Sequence, residues 1–322
     1  RRAVAEAEAG VVEAEAGVLA AELALEAQEA YIALARVQAV DALVRDYRAR
    51  LDAFAEAAAV RYEVGRGPQA AILRVQLEAG RLDARLSTLD AEGRLARATL
   101  ARLLDHPALP GQPVAAAPAE APLADSALVA RALRLRPETA VLEAAARQAA
   151  AEEALSEIAR YPEVGVHATY FDIADADLPA TADGRDAVGL GVTVRVPLDQ
   201  ASRRARIEAA RLRAAQVETQ QEALTTAITT HVEAHLHHAH HERDALLRYR
   251  RQLLPQAETT VESTLAAYTT GQADFLALLD AERTRFELRV AEAETEARYL
   301  TALARLARAL GVPSLYDLAP QP

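Results

Sequence analysis

The chain contains no cysteine, methionine, tryptophan or lysine, and glycine and aromatic residues are scarce. The absence of cysteine excludes a disulfide, a thiol nucleophile and a thiolate metal site. Because lysine is absent, the positive charges are all arginines, and these are dispersed along the chain. With a net charge of −11, the sequence has no evident basic patch of the kind that nucleic-acid binding requires. No run of about 18 apolar residues is present, so we expect no membrane-spanning helix.

Alanine and glutamate dominate the N-terminal part, where apolar residues recur every seven positions. Such a heptad seam, the stripe that faces a partner helix, is typical of a left-handed coiled coil. The seam residues are Val4, Val11, Val18, Leu25, Ile32 and Ala39. We expect one helix from the start of the chain to about Val64 and a second from about Gln69 to Leu104.

Two stretches separated by 206 residues have the pattern of a helix reversal, and we interpret the chain as a tandem duplication. In each copy a glycine follows a long helical pattern, where a left-handed C-cap favours glycine, and an apolar helical pattern then restarts. Both reversals are predicted to be exposed hairpin tips. Equivalent positions, first copy and then second, are Tyr62 and Tyr268, Gly65 and Gly271, Leu73 and Leu279, and Pro107 and Pro313.

The hydrophobic period changes to strict alternation in two later stretches, which predicts two strands that each have one apolar face. The apolar positions are Val164, Val166, Ala168 and Tyr170 in the first and Val188, Leu190, Val192, Val194 and Val196 in the second. An isolated hairpin is marginal in water, whereas a strand of about 9–11 residues crosses a bilayer when tilted. We interpret the pair as a hairpin of a membrane barrel. The alternative is a soluble hairpin packed on a helix.

Proline and the helical patterns predict the remaining boundaries. Pro137 begins a helix to about Arg160, a kink is expected near Pro255, the last helix covers 274–310, and the tail from Ser314 is expected to be loosely ordered. The predicted organisation is a first-repeat helical hairpin (1–106), a Pro/Ala-rich connector with a short equatorial helix (107–136), a short helix of the second repeat (137–160), the β-hairpin (161–198), a second-repeat helical hairpin (199–312) and a C-terminal tail (313–322).

The order of these motifs resembles a known family, the TolC family of outer-membrane efflux proteins. Within that family, the segment YTTGQADFLALLDAERT is most similar to the channels of heavy-metal resistance-nodulation-division pumps. The resemblance covers essentially the whole chain. The motifs that carry it are Tyr268-x-x-Gly271, Asp274-Phe275-Leu276, Leu278-Leu279-Asp280-Ala281-Glu282-Arg283, the helix end Ala309-Leu310-Gly311, the helix start Arg136-Pro137-Glu138, and the strand end Val196-Pro197-Leu198.

The resemblance implies a mainly α fold with a small β part. Long antiparallel coiled-coil α-helical hairpins would form a periplasmic tunnel, and the β-hairpin would contribute to a trimeric β-barrel in the outer membrane. The implied assembly is a homotrimer whose partners are outer-membrane lipid, a periplasmic adaptor (a membrane fusion protein) and an inner-membrane transporter. The adaptor would dock at the two tips, whose residues are Gly65, Arg66, Gly67, Gln69, Gly271 and Gln272.

The implied function is the outer-membrane channel of a tripartite efflux system, a passive exit duct for substrate such as heavy-metal cations, with no cofactor. The alternatives are a channel for type I secretion or drug efflux, and a soluble coiled-coil scaffold. No catalytic constellation competes with these hypotheses, because Ser156, Ser202 and Ser263 have no nucleophile-elbow setting and no glycine-rich phosphate loop is present. We therefore expect no enzyme.

Two residues near the second tip are candidates for a tunnel gate. Asp280 aligns with an acidic position that rings the closed tunnel mouth in the family, and three such carboxylates would favour cations. The alternative is an ordinary solvated aspartate on a helix. Tyr268 aligns with a gate tyrosine that holds inner and outer helix pairs together by hydrogen bonds, but its family partner is acidic where this sequence has Ala71.

Six of the eight histidines lie in one helical segment. His231 and His235, like His237 and His241, are i,i+4 pairs that can chelate a divalent metal from one helix face. The candidate metal ligands are His231, His235, His238 and His241. The alternative is a polar, partly hydrated layer without a ligand, because no cysteine or fixed carboxylate completes a site.

The offset of 206 also places the first-repeat β-hairpin immediately before Arg1. We expect the sequence upstream of Arg1 to encode a secretion signal, a short helix and that hairpin.

Overall fold

The computed structural model describes residues 1–65, 67–106, 125–159, 161–171, 187–196 and 199–318. Arg66 and the connector 107–124 lie outside these ranges. By contact, the chain divides into two compact units, one of residues 1–15 and 140–224 and the other of residues 16–139 and 225–322. The helices are α1 (Arg2–Glu63), α2 (Gln69–Leu103), α3 (Asp125–Leu135), α4 (Pro137–Ile158), α5 (Gln200–Arg248), α6 (Leu254–Thr269) and α7 (Phe275–Leu310), and the strands are β1 (Glu163–Phe171) and β2 (Ala187–Arg195).

The helix ends repeat at the interval found in the sequence, which confirms the duplication. α1 ends at Glu63 and α6 at Thr269, while α2 begins at Gln69 and α7 at Phe275, and both differences are 206. The same local signals therefore end and restart a helix in both halves of the chain.

The main core of the second unit lies among α1, α2 and α7, and its residues follow heptad spacing. They include Val37, Val44 and Leu51 on α1, Val75, Leu82 and Leu89 on α2, and Leu279 and Phe286 on α7. Burying one such branched or aromatic side chain stabilises the fold by about 1.5–3 kcal/mol. The coiled-coil packing that the heptads predicted is present in this unit.

One predicted seam position of α1 is wrong. Ile32 is buried as expected, but Ala39 is exposed, and Val40 beside it is fully buried. The buried stripe of α1 in this unit runs through Val37, Val40, Val44, Tyr47 and Leu51, in steps of three and four residues, which leaves Ala39 outside it.

The predicted kink near Pro255 corresponds to a π-helical turn, Tyr249–Leu253, between α5 and α6. Proline has no backbone N–H to bond the carbonyl four residues before it, so the regular α-helical pattern is interrupted on its N-terminal side. Arg250 within this turn forms ion pairs with Glu292 at 2.6 Å and Glu296 at 2.8 Å on α7.

The tail from Ser314 was expected to be loosely ordered, but residues 314–318 are ordered. A 3₁₀ turn, Leu315–Leu318, follows α7, and its two leucines are buried. The Gln28 amide of α1 holds this segment, because its Nε2 donates to the Pro313 carbonyl at 3.0 Å and its Oε1 accepts from the Leu315 N–H at 3.1 Å. A distant side chain orders a segment that has little helical signal of its own.

In the first unit, α4 lies against the N-terminal part of α5. Ala144 and Ala149 on α4 and Ala210 on α5 are buried, as suits closely packed helices. Arg211 pairs with Glu153 at 3.2 Å and with Glu157 at 3.3 Å across this contact.

Candidate functional site

The β-hairpin has one continuous apolar face. β1 and β2 are antiparallel, and the register pairs Val164 with Val194, Val166 with Val192, Ala168 with Leu190, and Tyr170 with Val188. Because side chains alternate across a strand, all eight lie on one side of the sheet. They are exposed on the protein surface. The alternation read from the sequence is confirmed, and the register shows that the two apolar stripes coincide.

The opposite face of the hairpin is mostly polar or bare, with Phe171, paired with Ala187, at one end. Glu163 and Arg195 form an ion pair of 3.0 Å at one end. His167 lies opposite Gly191, where an added Cβ would be 2.3 Å from the imidazole Nε2, so the ring occupies the space that the glycine leaves. The two faces of this sheet therefore suit two different environments.

The two helix reversals have left-handed glycines at their predicted positions. Gly65 has φ 72° and Gly271 has φ 79°. At the second tip the Gln272 N–H bonds the Ala267 carbonyl at 2.8 Å and the Gly271 N–H bonds Tyr268 at 3.1 Å, which is a Schellman cap.

The helix after the second tip begins with an N-cap, which satisfies one of the free N–H groups in its first turn. The Asp274 side chain accepts a hydrogen bond from the Ala277 N–H at 2.8 Å. Gln69 and Gln272 are exposed, as expected for the tips, whereas Gly67 is half-buried and Arg66 lies outside the described residues.

Tyr268 makes contacts that the sequence did not indicate. Its ring lies under the Arg61 guanidinium, 4.4 Å from the centroid, and is tilted against Phe275 at 6.2 Å. These contacts link α6 to α1 and to the first turn of α7. Ala71, at the position of the expected latch partner, is buried with 4% exposure.

Asp280 is an exposed carboxylate with a counter-ion. Its side chain is 66% exposed, and Arg283 donates to it at 2.7 Å. It lines a groove with Arg74 and Arg81 of α2. Its role in a ring around a threefold axis stays a prediction.

The candidate metal ligands do not form a metal centre. Within the described ranges, no group of three histidine, aspartate or glutamate side chains is arranged to hold a metal ion. Burial lowers the pKa of His235, and nearby His231, Arg305 and His238 lower it further. The imidazole is therefore neutral near pH 7, and the adjacent arginine opposes the approach of a cation.

A half-buried ion network joins Glu138, in the first turn of α4, to the end of α7. Glu138 accepts from Arg136 at 3.0 Å and from Arg308 at 2.8 Å. Burial alone raises the pKa of Glu138, but hydrogen bonds from Arg308 and Arg136 outweigh it and lower the pKa to about 2. The sequence placed Glu138 at a helix start but carried no signal that Arg308, 170 residues later, is its partner.

None of the described helices is both long and apolar enough to cross a bilayer.

Comparison with known proteins agrees with this architecture. The model of the family described as "Outer membrane efflux protein" matches residues 128–312, which is more than half of the 322-residue chain. The chain belongs to the outer membrane efflux protein family. At the level of the family, the predicted role as an outer-membrane efflux channel and the outer-membrane location are confirmed. The family is one of transport proteins. No curated protein matches the chain.

Solved outer-membrane channels share the fold. The open-state MtrE channel of Neisseria gonorrhoeae is 18% identical with a TM-score of 0.81, and the match covers 100% of this chain and 73% of that one. VceC of Vibrio cholerae is 18% identical with a TM-score of 0.78, covering 96% and 74%. CusC is 20% identical with a TM-score of 0.77, covering 97% and 74%. The predicted fold class of helical hairpins with a small β-hairpin is confirmed.

Proposed function

We propose that this efflux protein is the passive exit duct of a tripartite system and works as a homotrimer. Its β-hairpins insert into the outer membrane, and its helical hairpins form a tunnel in the periplasm. Membership of the outer membrane efflux protein family supports this role. The observation that carries the proposal is the continuous apolar face of β1 and β2.

Lipid is the partner that fits this face. Its large residues are between 56% exposed at Val194 and 82% exposed at Leu190. A two-stranded sheet is marginal in water, and nine residues per strand is close to the about 9–11 that a tilted strand needs to cross the hydrocarbon core. A closed membrane barrel needs at least about eight strands. The two described strands of one copy are too few to close a barrel, so strands from several copies must combine in an oligomer.

The two helix reversals are the surface that we propose for a periplasmic adaptor. Gly65, Gly271, Gln69 and Gln272 are exposed, small or polar. Such residues leave the ends of the helical hairpins free of bulky side chains, so a helical hairpin of the adaptor can pack against them end to end. An inner-membrane transporter would deliver substrate to the tunnel beyond these tips.

For the exported substrate we propose heavy-metal cations. The resemblance of residues 268–284 to the channels of heavy-metal pumps supports this class. The net charge of −11 also favours cations near the protein surface.

A pair of substitutions on β2 tests the duct. Leu190→Arg places a charge on the apolar face, and Thr193→Arg places the same charge on the opposite face. An arginine on the lipid face costs about 2–4 kcal/mol at the bilayer midplane. We expect Leu190→Arg to lose outer-membrane insertion, trimer formation and metal export in a strain that lacks the wild-type gene, and Thr193→Arg to keep insertion. Membrane fractionation, mass measurement in mild detergent and cellular metal content are the readouts.

Equal membrane insertion of both variants would contradict the lipid-facing assignment. A monodisperse monomer for the wild-type protein in mild detergent would contradict the trimer. The wild-type protein could insert and form trimers normally while deletion of its gene leaves the cellular metal content unchanged. That result would be consistent with the duct and would contradict heavy-metal cations as its substrate.

A further inference from the structure

Two exposed histidines lie one helical turn apart on α5. His237 and His241 have i,i+4 spacing in a regular part of this helix, which continues to Arg248. Side chains at this spacing share one face of a helix, with Cβ atoms about 5–6 Å apart, so two imidazoles can bind the same metal ion. We call these two residues the His237 pair.

The His237 pair lies on the side of α5 that faces away from the core. Val232, Leu236 and Ala239 form the buried stripe of this part of the helix. Each residue turns an α-helix by about 100°, which places positions 237 and 241 on the opposite side from that stripe. Neither imidazole forms a hydrogen bond or an ion pair with a described residue. The ring nitrogens are therefore available to a ligand from solvent.

Carboxylates flank the His237 pair along the same helix. Glu233 lies one turn before the pair and Asp244 three residues after it, and both are exposed. Asp244 is paired with Arg243 at 3.3 Å, whereas Glu233 has no ion-pair partner among the described residues. Arg248 is two turns beyond the pair, about 10 Å along the helix. The unpaired charge nearest to the pair on this face is thus the Glu233 carboxylate, which attracts a cation.

The other i,i+4 pair of this segment, His231 and His235, has different surroundings. His235 is half-buried. Burial lowers the pKa of His235, and the neighbouring groups His231, Arg305, His238 and Arg136 lower it further. The two arginines oppose the approach of a cation to this pair. The same two ligands at the same spacing therefore occur on α5 in two different electrostatic settings.

Imidazole ligands restrict the kind of metal ion that can bind. Neutral imidazole suits Zn²⁺, Cu²⁺ and Ni²⁺, whereas Mg²⁺ and Ca²⁺ prefer oxygen ligands. Within the part of the chain that the structure describes, no third histidine, aspartate or glutamate is arranged to complete a metal centre. Two imidazoles would thus hold the ion, with water in the remaining positions. Such a site holds its ion less tightly than a structural zinc site with four protein ligands.

We propose that the His237 pair binds one exchangeable divalent transition-metal ion, such as Zn²⁺, through one nitrogen of each imidazole. The Glu233 carboxylate favours the cation by its charge. The site lies on a helix of the second unit and requires neither insertion of the β-hairpin into a membrane nor the export of heavy metals. Its test is therefore independent of the test of the proposed duct.

Zn²⁺ binding to the full-length protein in mild detergent tests the proposal. Titration calorimetry near neutral pH is carried out in excess Mg²⁺, which occupies sites made of carboxylates alone because it prefers oxygen ligands. We expect saturable binding of one Zn²⁺ per protomer that the excess Mg²⁺ does not displace.

Two double variants locate the ion. His237→Gln combined with His241→Gln should weaken Zn²⁺ binding by at least about tenfold, since loss of a group that only orients a metal ligand already costs about 10–100-fold in affinity. Both residues are exposed, so the thermal midpoint should match that of the wild type. His231→Gln combined with His235→Gln is the matched control, because it removes the same residue types at the same spacing. The control should leave the Zn²⁺ affinity unchanged.

Chemical modification gives a readout that needs no variant. Diethyl pyrocarbonate modifies accessible imidazole nitrogens, and mass measurement of peptides identifies the modified residues. Zn²⁺ should protect His237 and His241 from modification, while His231 and His238, which are also exposed, should remain reactive.

Three results would overturn the proposal. These are an unchanged Zn²⁺ affinity in the double variant of the His237 pair, an equal loss of affinity in the control variant, and displacement of Zn²⁺ by excess Mg²⁺. Binding that appears only after the assembled protein is dissociated would also overturn it. That result would assign this face of α5 to a contact with a neighbouring copy.

Discussion

Asp105 and Gly311 occupy the same position in the two halves of the chain. Each follows the second helix of its repeat and adopts the left-handed conformation, with φ 48° for Asp105 and 73° for Gly311. The next residue closes the same cap in both, since the N–H groups of His106 and Val312 each bond a carbonyl five residues earlier at 3.0 Å. The duplication therefore extends to single backbone dihedrals, although one copy uses aspartate.

Substitutions at this pair should have opposite effects on stability. Asp105→Gly should raise the free energy of unfolding by up to about 1 kcal/mol, because glycine adopts positive φ without a steric cost. Gly311→Ala should lower it by more than about 2 kcal/mol, because strain adds to a clash. Its Cβ would lie 2.5 Å from the carbonyl carbon and oxygen of Leu135. Denaturant unfolding of the purified protein measures both, and a stabilised Gly311→Ala would contradict the close approach of α3 to α7.

Glu138 should be important for stability at neutral pH. Glu138→Gln removes the carboxylate that Arg136 and Arg308 share, and because this network is half-buried the loss should lie between about 1 kcal/mol for an exposed pair and about 3–5 kcal/mol for a fully buried one. Glu6→Gln is the control, because the Arg2 and Glu6 side chains are 92% and 62% exposed and such pairs contribute at most about 1 kcal/mol. A similar loss in both variants would argue against a stabilising role of the Glu138 network.

The effect of Glu138 should depend on pH in a defined window. Its pKa is about 2 in the folded protein, below the ordinary 4.5. A carboxyl group with a lowered pKa contributes its full stability above the unfolded pKa and loses it as the pH falls through the folded one. The difference in unfolding free energy between wild type and Glu138→Gln should therefore be constant above about pH 5 and shrink towards pH 2. A difference that grows with acid would refute this assignment.

The tip glycines should be needed for their backbone conformation. Gly65→Val and Gly271→Val should each destabilise the reversal by about 1–2 kcal/mol or more and weaken cross-linking to a periplasmic adaptor, because valine resists positive φ. Gly80→Val is a matched control. An added Cβ meets nothing within 4 Å at any of the three positions, and Gly80 lies in a regular helix. Unchanged cross-linking and export in both tip variants would remove the tips from the mechanism.

Asp280 is predicted to set the ion preference of the resting tunnel. If three copies surround one axis, Asp280→Asn should raise the anion conductance of the closed channel and relieve block by divalent cations in planar bilayers, with the trimer intact. Asp90→Asn removes another exposed, arginine-paired carboxylate and should change neither. Identical selectivity and block in Asp280→Asn and wild type would leave Asp280 as a surface charge paired with Arg283.

The local features of this protein were predictable from its sequence. The helix ends, the left-handed glycines at 65 and 271 and the alternating strands depend on residues within a few positions of each other, where glycine, proline and side-chain period act directly on the backbone. The repeat of 206 residues then predicted two equivalent hairpins. The family resemblance supplied the expectation of a channel, which the family match confirms.

The tertiary structure decided what depends on distant partners. The burial of Val40 rather than Ala39 depends on which face of α1 packs against α2 and α7. The order of the tail depends on Gln28, and the lowered pKa of Glu138 depends on Arg308. No local pattern specifies which side chains meet, because these contacts are set by helix packing and by segments far apart in the chain.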